Sequence, residues 1–276
     1  MAKNELVLNR GLKFGIELEV VAPNGLGLRD VRALLKTVVR CNINDRQYTH
    51  EVVERWKVVT DASLSGNAYE IVSPPLTSLN EVELVCKVLN ENGFTVNTSC
   101  GFHVHHEIKD LDYKALNNLF RLYDKYEAHV INKMLPSSRR NSRWCQPVSN
   151  LMPKVEQSTN LEEFLRNVGH CHISRSNIRY HSLNLNSFVK YGTIEFRHHS
   201  GTIDFEKIKM WVLLTHKMIE TAIEKKAIRP VSESRLAKWE SEVRHSSYDF
   251  YKELGINGTE LSEYIGSRRK VFKEAQ

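Results

Sequence analysis

Three short stretches carry acidic and imidazole groups at every second position. "FGIELEV" (14–20) sets Glu17 and Glu19 among Ile16, Leu18 and Val20. "GFHVHHE" (101–107) sets His103 and His105 beside Phe102 and Val104. "TIEFRHHS" (193–200) sets Glu195, Arg197 and His199 against Ile194 and Phe196. Strand side chains alternate faces with a period of two. Each stretch therefore predicts a strand with one apolar face and one face of chemically active groups. A wet face is ordinary in an antiparallel sheet, but it usually mixes Lys, Thr, Ser and Glu. Here the sets are Glu-Glu, His-His and Glu-Arg-His. Carboxylate and imidazole groups converging on one sheet face could bind divalent cations. The competing reading is a plain polar face.

Two further segments supply candidates. "TDASLSGNAYEIVSP" (60–74) puts Asp61 at a turn and Glu70 on the strand after it, with Ile71 facing the other way. An Asp in such a place is commonly a turn former; beside the other acids it becomes a candidate ligand. "SNIRYHSLNLN" (176–186) carries Arg179 just ahead of a predicted strand. A guanidinium there could clamp a carboxylate or phosphate through two parallel hydrogen bonds, or simply lie on the surface. His106 and His198 fall on the face opposite His105 and His199 and read as core or interface histidines. His106 and His199 are also the two imidazoles considered as a general base.

These groups need a sheet and helices to hold them. Apolar spacing predicts amphipathic helices over 28–41, over 79–93 with Gly93 at the C-terminal end, over 111–135 as the longest, and over 204–225. "RYHSLNLNSF" and "GTIEFRHHS" predict a pair of strands joined by a turn at Tyr191 and Gly192. Interspersed helices and strands, several strands adjacent in sequence, predict an α+β fold with a largely antiparallel sheet. Residues 1–276 read as one catalytic domain. Within it, 136–176 reads as a polar, basic lid or insert and 228–276 as a helical C-terminal extension.

Composition narrows the function classes. The chain has 276 residues, 41% apolar and 26% charged, as in ordinary soluble domains. No segment approaches the roughly 20 apolar residues of a membrane span, and the N-terminus lacks an apolar signal region, so a cytoplasmic location without a membrane partner is expected. A net charge of +6 mildly favours anionic partners; nucleic acid is compatible but no element indicates it. The densest basic patch is "SSRRNSRW" (137–144). The five cysteines are widely spaced and form no C-x-x-C, which predicts free thiols. A zinc site at "GHCHISR" (169–175) is not supported without a second cysteine cluster. Neither a Walker loop nor a dinucleotide fingerprint occurs.

Five segments in this order, "FGIELEV", "DASLSGNAYEIVSPPL", "NTSCGFHVHHE", "RYHSLNLNSF" and "GTIEFRHHSGTID", resemble the amidoligase family. That family belongs to the glutamine synthetase-like carboxylate–amine ligase superfamily, which also holds glutamate–cysteine ligase. The resemblance implies a glutamine synthetase-like catalytic domain, its sheet forming a partial barrel or funnel with packed helices. It implies ATP and Mg2+ or Mn2+ bound in that funnel. It also implies phosphorylation of a carboxylate substrate, then attack by an amine substrate to give an amide. Carried over by position, it implies that Glu17, Glu19, Asp61, Glu70, His103 and Glu195 are metal ligands. Arg197 would stabilise the transferring phosphoryl group, with Glu195 beside it. His105 would meet nucleotide phosphate, and Arg179 a phosphate or the substrate carboxylate. Two rival classes are a metal-dependent hydrolase, which needs no nucleotide and lacks H-E-x-x-H here, and a basic nucleic-acid-binding module, which leaves the acidic strand faces unexplained.

Overall fold

The structure is a computed structural model that describes residues 11–43, 52–140, 142–169, 177–228 and 246–274. Its longer elements are β1 (Phe14–Val21), α1 (Leu28–Leu35), β2 (Lys57–Val59), β3 (Ala68–Val72), α2 (Asn80–Glu91), β4 (Gly101–Glu107), α3 (Tyr113–Tyr126), β5 (Leu183–Asn184), β6 (Thr193–Ser200), α4 (Phe205–Glu224), α5 (Ser247–Leu254) and α6 (Glu260–Glu274). Helix and antiparallel sheet are mixed, as the sequence predicts. The chain divides into two compact units: 8–107 with 195–212, and 1–7 with 108–194 and 213–276.

In the first unit the strands run in the order β2-β3-β1-β4-β6, and the sheet is open. β1 pairs antiparallel with both β3 and β4, and β2 pairs antiparallel with β3. The alternation read from the sequence holds along the central strands. Phe14, Ile16, Leu18 and Val20 of β1, Ile71 of β3, Phe102 and Val104 of β4 and Phe196 of β6 are all buried. Burying each such side chain is worth about 1.5–3 kcal/mol, so a one-residue slip would turn this whole set, and the active groups with it, to the wrong face. His106 belongs to the apolar side: it is fully buried, with its ring edge-on to Phe196 and tilted against Phe14.

Helices complete this unit. α1 buries Val31 and Leu35, and α2 buries Val82, Val85, Cys86 and Leu89. α2 ends where predicted, with Gly93 in the left-handed region at φ 73°. The Arg32 guanidinium on α1 donates from Nε and Nη2 to the Val58 carbonyl of β2 at 3.2 and 2.8 Å.

The second unit is built around α3. The predicted helix over 111–135 is present as α3, a π turn at Glu127–Ile131 and a 3-10 turn at Asn132–Met134. Asn118 ties α3 to the end of α4: its Nδ2 donates to Ala222 O and Lys225 O, and its Oδ1 accepts from Ile228 N. The stretch 136–176, read as irregular, is largely helical where it is described. Short helices cover Ser137–Arg140, Met152–Gln157 and Leu161–Phe164. Val148, Leu151, Val155 and Phe164 are buried, and the Phe164 ring packs edge-on against Tyr113 and Phe120. Apolar residues too sparse to show a clear period thus still supply core.

The strand predicted over "RYHSLNLNSF" neighbours β6 as expected but is far shorter. Only Leu183–Asn184 is strand, and Ser187–Tyr191 is a helix. The Asn184 side chain accepts from Asn186 N at 2.9 Å, an Asx turn that ends the strand. Gly192, at φ 65°, closes the helix with its N–H on Phe188 O. The "GHCHISR" motif lies outside the described residues apart from Gly169, as does much of 228–276; α5 and α6 are the helical parts of that extension that are described. No helix among the described residues is long and apolar enough to cross a membrane.

Candidate active site

The sheet register of the first unit brings the predicted groups together. Glu17 lies opposite His103 on β4, and Glu19 lies opposite Glu70 on β3. His103 Nδ1 stands 3.0 Å from Glu17 Oε2 and 3.4 Å from Glu195 Oε1, and its Nε2 stands 4.0 Å from Glu19 Oε1. His105 Nε2 stands 3.1 Å from Glu17 Oε1. The Arg197 guanidinium pairs with Glu195. Glu19, Glu70, His103 and Glu195 are buried; Glu17, His105 and Arg197 are half-buried.

The backbone contributes as well. Gly101 donates its N–H to Glu19 Oε2. Next to it, Asn97 Oδ1 accepts from Ser99 N and Oγ, while Ser99 Oγ accepts from Ser65 N and Asn97 Nδ2 donates to Ser65 O. These contacts join the loop before β3 to the loop before β4. Sequence reasoning missed Gly101, Ser65, Asn97 and Ser99; the signal available was the run of turn-forming residues in "SLSGN" and "VNTSC".

The electrostatics of the cluster are strained in one place and relieved in another. Burial works to raise the Glu17 carboxyl, yet His105 and His103 outweigh it and hold the group well below the usual carboxylate range. Burial likewise opposes ionisation of Glu195, and Arg197 and His105 overcome it. His105 is raised: burial disfavours its charge, but Glu17 more than compensates. Glu70 moves the other way. Burial, the charge of Glu17, a hydrogen bond with Glu17 and the charges of Glu19 and Asp61 push its carboxyl well above the ordinary value.

Other predicted residues are placed differently. Asp61 Oδ1 accepts from Ser63 N at 2.7 Å, so its side chain is engaged in its own turn while its charge is felt by Glu70. Arg179 is exposed on a 3-10 turn in the second unit, its guanidinium over the Tyr180 ring. His199 does not extend the active face. Its ring packs edge-on to Phe102 and tilted on Trp211 of α4, so the period-two expectation fails at the end of β6. With His106 and His199 both among core aromatics, neither is placed to serve as the general base.

One set fits a metal by its donor chemistry. Single donor atoms of Glu17, His103 and Glu195 all lie within 4.8 Å of one another. Two carboxylate oxygens and one imidazole nitrogen suit manganese and, with water and phosphate oxygens added, magnesium.

The family model described as "Putative amidoligase enzyme" matches residues 10–219. The chain belongs to the amidoligase family. This is a family of ligase type, and its match spans every strand of the site. No curated protein matches the chain. Among solved structures, one titled "Crystal structure of novel glutamine synthase homolog" is similar at 13% identity and a TM-score of 0.42. The alignment covers 96% of this chain and 66% of that one, so the chain spans just under two thirds of that structure's length.

Proposed function

We propose that this amidoligase is an ATP-dependent carboxylate–amine ligase. The γ-phosphoryl group leaves ADP as a carboxylate oxygen of the acid substrate bonds to phosphorus. The amine then attacks the acyl carbon and gives up a proton, inorganic phosphate leaves, and an amide remains. The observation that carries this reading is the convergence of Glu17, Glu19, Glu70 and Glu195 on one sheet face around His103. Four carboxylates so placed repel one another, and Glu70 is held back from ionising. Such a face is suited to cations and phosphate rather than to water alone.

In this reading Glu17, His103 and Glu195 would hold one divalent cation, and Glu19, Glu70 and Asp61 would serve a second. Bound cations supply charge neutralisation for the phosphate oxygens. The chain's own groups do the rest. Phosphoryl transfer asks mainly for positioning and charge stabilisation. Arg197 exchanges its bond to Glu195 for the transferring phosphoryl group, which its planar fork suits. His105, whose charged form Glu17 favours, would meet a phosphate oxygen. The open sheet curls as a partial barrel around the nucleotide.

Calorimetric titration with a non-hydrolysable ATP analogue tests this, in magnesium, in manganese and in chelator. Binding is expected only with a cation, and Glu195→Gln is expected to weaken it at least tenfold without loss of fold. Cation-independent binding, or none from folded protein, sinks the reading. Turnover of an ester or amide without nucleotide would favour the hydrolase.

A further inference from the structure

A second cluster of chemically distinctive side chains lies within the second unit, on two segments far apart in sequence. Trp144 and Tyr180 meet edge to face with ring centroids 4.9 Å apart. The Arg143 guanidinium lies 4.6 Å over the Trp144 ring, and the Arg179 guanidinium 4.6 Å over the Tyr180 ring. Arg143, Trp144 and Arg179 are exposed, Trp144 at 37%. Among the described residues neither guanidinium is paired with a carboxylate.

The platform is fixed from beneath. Gln146 N donates to Tyr180 O at 2.6 Å and Ser182 N to Gln146 O at 2.9 Å, so the two segments are stitched in parallel. One layer down, the buried Glu127 carboxylate accepts from Val148 N at 2.7 Å and from Ser182 Oγ at 2.5 Å. Cys145 Sγ packs 3.5 Å from the same hydroxyl. An exposed tryptophan on a segment anchored this closely is held in place before any ligand arrives.

We propose that this Arg143–Trp144–Tyr180–Arg179 platform binds single-stranded nucleic acid. Aromatic rings and guanidinium planes both stack on bases, and the guanidinium charge is complementary to the flanking phosphates. The chain's net charge of +6 acts in the same direction. An acidic peptide would use the two charges and leave the indole without a role. The inference stands apart from the ligase reading: nucleotide calorimetry at the carboxylate cluster can fail while the platform binds, and the reverse.

The test is fluorescence anisotropy of a dye-labelled single strand of about twelve nucleotides, within the usual span of such sites, across a salt series. Trp144→Ala is expected to weaken binding by about 5- to 150-fold, because stacking on one base is worth about 1–3 kcal/mol. Trp144→Phe should restore most of the affinity. Arg143→Ala should lower the slope of log affinity against log salt by about 0.7, one phosphate contact. Circular dichroism checks folding; if Trp144→Ala unfolds, Trp144→Phe and Arg143→Ala decide. Four outcomes overturn the proposal: no binding at low salt, affinity unchanged in Arg143→Ala and in a folded Trp144→Ala, displacement by ATP at equal base concentration, or stronger competition from polyglutamate.

Discussion

At the scale of the residue, the site is a set of charges that the fold tolerates at a cost. Glu19 and Glu70 stand directly opposite each other across β1 and β3, where like charges destabilise a sheet by up to about 1 kcal/mol. Glu70 binds its proton more tightly folded than unfolded, so its contribution to stability is full at acid pH and is lost as pH rises through its raised value. At neutral pH in chelator, Glu70→Gln should therefore raise the melting temperature by about 2–4 °C, while reducing cation-dependent nucleotide binding. A variant that melts lower would show that the ionised carboxylate stabilises the sheet. Most of this cluster was legible because a period of two assigns faces without knowledge of contacts. Glu17, Glu19, Glu70, His103 and Glu195 follow it. His199 does not, because its ring joins Phe102 and Trp211, and Trp211 lies on a helix whose approach no strand pattern reveals. Asp61 was ambiguous for a reason the structure explains: the same carboxylate serves its turn through Ser63 and adds charge near Glu70.

At the scale of the element, the ends of strands matter more than their middles. β6 leaves the sheet at Gly201, whose N–H donates to Cys100 O at 2.9 Å. A Cβ at Gly201 would lie 2.5 Å from Cys100 Cβ and 3.0 Å from Cys100 O. Backbone cannot yield as a flexible side chain does. Gly201→Ala should cost about 1–3 kcal/mol in denaturant unfolding. It should also weaken cation binding, since it displaces Cys100 and thereby the Gly101 N–H that holds Glu19. Unchanged unfolding would mean the two chain ends part freely. The mistaken strand at 185–188 has a similar lesson. Leu183 and Leu185 alternate with Asn184 and Asn186 as a strand should, but an Asx turn at Asn184 ends the strand and a left-handed Gly192 closes the helix that follows. Local hydrogen bonding prevailed over apolar period.

At the scale of the molecule, the division into two units was not legible, because each unit is assembled from separated stretches of chain. Contacts such as Asn118 with Ala222, Lys225 and Ile228 leave no mark in the sequence. Global stability should nonetheless report one buried group. Burial pushes the Glu127 carboxyl up to about 7 despite its bonds from Ser182 and Val148. The folded chain then holds a proton that the unfolded chain releases, so stability falls as pH rises from about 4.5 to 7 and levels off above it, a change of about 3 kcal/mol. Urea unfolding across that window should show the fall, and Glu127→Gln should make it shallower; an equal slope in the variant would assign the effect elsewhere. The open sheet has a consequence of another kind. Unpaired strand edges recruit other chains and seed aggregates. Here β2 offers only three residues, begins with a lysine, and has its Val58 carbonyl already taken by Arg32. The unclosed sheet is thereby spared a sticky margin, and an arginine on a neighbouring helix takes the carbonyl that a further strand would have paired.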